Sequence, residues 1–84
     1  MASDQARELR QQGIAAAKAG RKDEARQLLQ QSIRIEPDSE AAWLWLASIA
    51  RDQRERQFCL QKILEINPNN SQARQALAAI DPSV

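Results

Sequence analysis

The chain has 84 residues, 12 basic and 11 acidic side chains and a formal net charge of +1. That length suits one domain near the lower limit for burying its own core. The balanced charge excludes a global field for nucleic acid or an anionic membrane, no apolar run approaches the roughly 20 residues that span a bilayer, and one cysteine excludes an internal disulfide.

Fifteen Ala, eight Leu and eleven Gln stand against one Val and no Thr or Tyr, so the expected class is all-α. Met-Ala-Ser-Asp-Gln lacks the basic-then-apolar pattern of a signal peptide, and a cytoplasmic location is expected. Helix one is predicted from about Asp4 to Ala19, with Ser3 as cap and Gly20 at the stop. Ala6, Leu9, Gly13, Ala16 and Ala17 make a narrow stripe of small side chains that lets a second helix approach closely. Helix two, about Lys22 to Ile35, answers with Ala25, Leu28, Leu29, Ser32 and Ile33, and so short a link forces an antiparallel hairpin.

Pro37 ends that hairpin and biases Glu36 away from helix. Asp38 or Ser39 then caps helix three, about Glu40 to Arg51, with Trp43, Leu46, Ala47 and Ala50 as its buried stripe. Helix four starts near Asp52, where Glu55 three residues on makes a reciprocal capping pair. It carries Cys59, Leu60, Ile63, Leu64 and Ile66 and ends at Pro68. Asn69-Asn70 caps helix five, which runs to about Ile80 with Ala73, Leu77 and Ile80 inward, and Pro82 stops it.

Gly13, Gly20, Ala25 and Pro37 lie at offsets of 7, 12 and 24 residues, and a similar unit restarts at Ala42-Trp43 and closes on Pro68. The chain thus resembles the tetratricopeptide repeat, a helical hairpin of about 34 residues. Leu9, Gly13, Gly20, Ala25, Leu29, Ser32 and Pro37 stand in that pattern in the first unit; Trp43, Leu46, Ala47, Leu60, Ile63 and Pro68 do so in the second. The resemblance implies a right-handed stack of antiparallel hairpins, an α-solenoid of five helices. Repeat one would cover about 4–37, a shortened repeat two about 40–68 and a capping helix about 70–80. Two departures stand out: Pro37 to Pro68 spans only 31 residues, and the second turn has no glycine. Arg56 or a neighbour also occupies a place where the family has a small residue, so the second hairpin is expected to splay.

Nothing in the chain assembles a reaction centre. It has no His, the commonest general base and metal ligand, and Cys59 sits on an expected buried face with no His to activate it. Gly13 and Gly20 form no phosphate loop, and Asp23-Glu24 suit a helix start. No enzyme activity, cofactor or metal is expected. The basic cluster Arg51, Arg54 and Arg56 alternates with acids, so nucleic acid is the weaker alternative partner.

The resemblance implies a non-catalytic module whose protein or peptide ligand lies in a concave groove lined by helices one, three and five. Arg7, Arg10, Ile14, Leu44, Trp45, Ser48 and Arg51 are the candidate groove residues. Trp45 lies roughly 200° around the helix from Trp43, so both indoles cannot face one core. Trp43 is assigned to core; Trp45 is either groove floor or inter-helix core. One family subtype grips chaperone peptides by their carboxylates, but Ile14, Trp45, Gln72 and Ala76 stand where its other polar groups are expected, with Arg10 alone matching. The alternative function is homo-oligomerisation, because two repeats and a helix fall short of the roughly three repeats such stacks need.

Overall fold

The computed structural model describes residues 4–80. The expected cap Ser3 and stop Pro82 lie outside the described residues. Five helices follow in order, α1 (Asp4–Lys18), α2 (Lys22–Ile35), α3 (Glu40–Ser48), α4 (Gln53–Ile66) and α5 (Ser71–Ile80). With no strand among the described residues, this is an all-α stack of antiparallel hairpins. α1 packs along α2, α3 along α4 and α4 along α5, while α3 also touches both α1 and α2. The body measures 38 × 30 × 16 Å. Its thickness is that of two helical layers, since axes about 8–10 Å apart add only a Cα radius of about 2.3 Å on either side.

The first hairpin closes through glycine chemistry. Gly20 takes φ +83°, and its N–H donates to the Ala17 carbonyl at 3.1 Å while the Arg21 N–H donates to Ala16 at 2.9 Å. These are the two bonds of a Schellman cap, available because glycine has no Cβ to clash in the left-handed region. Gly13 has a different task. A Cβ there would lie 2.7 Å from Leu29 Cγ and 2.9 Å from Leu29 Cδ2, so the missing methyl is what lets fully buried Leu29 seat against α1. One turn further along, the buried Ser32 hydroxyl donates to the Ala6 carbonyl at 2.9 Å, fixing the register of the two helices.

Two proline turns repeat each other. Ser39 N–H bonds the Glu36 carbonyl, and Asn70 N–H bonds the Asn67 carbonyl. Each turn then caps the next helix: Ser39 Oγ accepts from Ala42 N–H, and Asn70 Oδ1 accepts from Ala73 N–H. Glu40 links the second turn back to α3, accepting from Asn67 Nδ2 at 3.1 Å and Asn70 Nδ2 at 2.9 Å. Those two bonds, Asn70's first, hold the Glu40 carboxyl below its ordinary value of 4.5.

Three expectations need correction. α3 stops at Ser48, not Arg51, because the chain turns at Ile49, whose side chain enters the core. Its buried face is therefore Ala42, Leu46 and Ala47, with Ile49 beyond its end, while Trp43 and Ala50 are only partly covered. The capping pair at Asp52 works in one direction only. Asp52 Oδ1 accepts from Glu55 N–H at 2.8 Å, but Glu55 reaches past Asp52 to the Arg51 N–H and to Arg26.

Candidate functional site

A cleft of about 430 Å³ opens beside α3, lined by Leu44, Trp45, Ala47 and Ser48 of that helix. Arg56 and Leu60 of α4 and Gln72 and Ala76 of α5 complete it. No comparable packing joins α3 to α5, so the two helices flank the opening while α4 supplies its floor. Leu60 and Ala47 belong to the core, and Leu44, Trp45 and Ala76 pack on that core with part of their surface outward. The size lies within the roughly 300–1,000 Å³ of small binding sites. The cleft is chiefly apolar, and no acidic side chain lines it among the described residues.

The two indoles take opposite faces, as their spacing requires. Trp43 donates its Nε1–H to the Pro37 carbonyl at 2.8 Å and meets the Phe58 ring edge-on, centroids 6.1 Å apart. Trp45 lines the cleft, and the Lys18 ammonium from the end of α1 stands 5.8 Å from its ring centroid. A cation over an indole face is attracted by the ring quadrupole. Trp45 thus serves both descriptions, packed inward on one edge and open to the cleft on the other.

The end of α3 that bounds this cleft is closed by the Ile49 and Ala50 amides together with side chains. With no glycine between Ile49 and Asp52, no left-handed cap is available, and no non-glycine residue among those described has a positive φ. Arg56 Nε donates to the Ala47 carbonyl at 3.3 Å, Arg26 Nη2 donates to the Ile49 carbonyl at 3.0 Å, and Ser48 Oγ donates to the Trp45 carbonyl at 2.8 Å. The backbone already serves two of these carbonyls, Ile49 N–H donating to Trp45 at 3.2 Å and Ala50 N–H to Ala47 at 3.3 Å. Ser48 and Arg56 add second donors there, while Arg26 meets the Ile49 carbonyl beyond the helix end. Arg26 crosses from α2, is 10% exposed, and pairs with Glu55 of α4. Its Nε has no hydrogen-bond partner among the described residues. One guanidinium therefore ties the first hairpin to the second.

Cys59 is buried just behind this region. Burial first, and the nearby Glu55 charge second, push its thiol up to about 11, against the partial opposition of Arg26. It is a protonated core filler at neutral pH.

Of the seven candidate groove residues, the structure gathers Leu44, Trp45 and Ser48 on the cleft and leaves four off its lining. Arg7 is exposed and pairs with Asp4, Arg10 reaches Ser39 Oγ at 3.5 Å, and Ile14 packs on the core. Arg51 is exposed at the second turn, 4.0 Å from Asp23. Reading the sequence missed Arg26, although it lies three residues before Leu29 and seven before Ile33, on the same helical face. It also missed Phe58, which is 53% exposed under the Lys62 ammonium. In the sequence Arg56 stood out as a member of a basic cluster and as a large residue where the family has a small one, but not as a lining residue of a cleft.

A tetratricopeptide repeat family model matches residues 6–49, just over half the chain. The chain belongs to the tetratricopeptide repeat family. The match takes in the glycine-closed hairpin and α3 and ends at Ile49, where the turn without glycine begins. Tetratricopeptide repeats are in general protein–protein interaction modules, typically without catalytic activity. No curated protein and no solved structure matches the chain. Among the described residues, no helix is long and apolar enough to cross a membrane, and no group of acidic, His or Cys side chains could hold a metal ion.

Proposed function

We propose that the chain is a non-catalytic adaptor of two repeats and a closing helix that binds a protein or peptide segment in the cleft beside α3. The observation that carries this reading is Trp45: a large aromatic at an apolar opening whose two sides are different helices. Tryptophan and arginine are the residue types enriched where binding energy concentrates. Leu44, Trp45 and Ser48 form the central contact, and Arg56, Gln72 and Ala76 its sides. Arg7, Arg10, Ile14 and Arg51 would touch only a ligand that continues across α1 or the second turn.

The test is a display selection of peptides on the folded chain, followed by Trp45→Ala. Since the Trp45 indole is only partly buried, that variant keeps the helical circular dichroism and loses the selected peptides. Retained binding in Trp45→Ala contradicts the assignment.

Self-association is the second reading, carried by Phe58 and the 41% exposed Ile35. It predicts a sedimentation mass and a melting temperature that rise with concentration. Both become concentration-independent in Phe58→Gln if that surface is responsible, and a wild type already independent of concentration removes the idea.

A further inference from the structure

The charges around the cleft are one-sided, although the whole chain is nearly neutral. The acids of the second turn are already engaged, Asp52 on the Glu55 amide and Glu55 on Arg26 and the Arg51 amide. Arg56 and Lys18 have no carboxylate within ion-pair distance among the described residues. Arg56 lines the cleft, with its Nε edge fixed on the Ala47 carbonyl and its Nη edge making no hydrogen bond among the described residues. Lys18 stands over the Trp45 ring, 5.8 Å from its centroid, without lining the cleft itself. The cleft therefore presents an apolar floor of Leu44, Trp45 and Leu60 beside one lining cation, Arg56, that lacks an acid partner among the described residues.

Resting on the reading of the cleft as a ligand site, we infer that its ligand is an acidic protein segment. An apolar side chain enters beside Trp45 above Leu60, and a neighbouring Asp or Glu side chain meets the Nη edge of Arg56. A guanidinium already held on one edge loses little rotamer freedom when its other edge takes a carboxylate. The charge-assisted bonds so formed are stronger than neutral ones.

The probe is an array of ten-residue peptides, acetylated and amidated so that side chains supply every carboxylate. Each has Leu or Phe at its centre, flanked by Glu, Gln or Lys. The expected result is binding of the Glu-flanked peptides roughly ten- to a hundredfold tighter than their Gln counterparts, as for a charged hydrogen bond of moderate strength. In Arg56→Gln the ratio of Glu- to Gln-peptide affinities falls to about one, whatever the variant's affinity for the Gln set, and in Arg56→Glu it inverts toward Lys. A variant merely loosened at the end of α3 would weaken all three sets alike. Equal binding of Glu and Gln peptides by the wild type overturns the acidic ligand but leaves the cleft as a ligand site. Failure to bind any peptide overturns both. Displacement of bound peptide by a single-stranded oligothymidine overturns the protein ligand in favour of nucleic acid.

Discussion

The two hairpin turns of this chain solve the same problem with different chemistry. Between α1 and α2 the backbone does the work, since Gly20 at φ +83° closes a Schellman cap and no side chain is needed. Between α3 and α4 the backbone bonds from Ile49 and Ala50 are supplemented by side chains, with Arg26, Arg56 and Ser48 on carbonyls and Asp52 and Glu55 on amides. A backbone cap is local. A side-chain cap draws on distant elements, so the second turn is joined to α2 through Arg26 and to the cleft through Arg56. What replaces a glycine there also builds the side of the candidate site.

The largest expected effect comes from stranding the buried cation. Glu55→Ala leaves the buried Arg26 charge with the Ile49 carbonyl but no carboxylate and should cost about 3 kcal/mol, at the low end for a broken buried pair because Glu55 is itself 31% exposed. A urea denaturation curve measures it. Adding Arg26→Met should restore much of the loss, and failure to do so would mean the strut is not what Glu55 supports. Gly13→Ala comes next, at about 2 kcal/mol, because the new methyl overlaps Leu29 by more than the gain in helix propensity offsets. Gly20→Ala should cost about 1 kcal/mol for its left-handed backbone alone, since a Cβ there meets no atom within 4 Å. Equal losses for Gly20→Ala and Glu55→Ala would erase the contrast between a local and a distributed turn.

The smallest effect is electrostatic and depends on pH. Glu40 is held ionised by Asn70 and Asn67, so its folded pKa lies below the ordinary 4.5. Its contribution to stability is present above that ordinary value and is lost as the pH falls through the lowered one. The difference in melting temperature between wild type and Glu40→Gln should therefore be constant near neutrality and shrink below pH 4.5. A difference that grows in acid would contradict the assigned bonds.

The first hairpin was legible in the sequence because its determinants are single residues with fixed spacing. Gly13 for close approach, Gly20 for the turn and Pro37 for the exit each act at their own position. The caps at Ser39, Asp52 and Asn70 were legible for the same reason. The second turn was not, since Arg26 lies 29 residues before Glu55 and nothing local marks the two as partners. The end of α3 came three residues before the expected Arg51 because Ile49 turns into the core. The candidate site was half legible: the Trp43–Trp45 spacing required opposite faces, but which helices flank Trp45 depends on how α5 returns across α4. Charges offered little help, because an arginine that caps a carbonyl and one that only meets water look alike in sequence.

The two indoles allow the most direct test of the central claim, that the cleft beside α3 receives the ligand. Each Trp gives one side-chain N–H resonance, assigned by Trp43→Phe and Trp45→Phe, and the tightest peptide of the array is titrated against both. The Trp45 resonance is expected to shift with saturation while Trp43, bound to the Pro37 carbonyl on the other face, stays in place. A shift at Trp43 with Trp45 unmoved would contradict it.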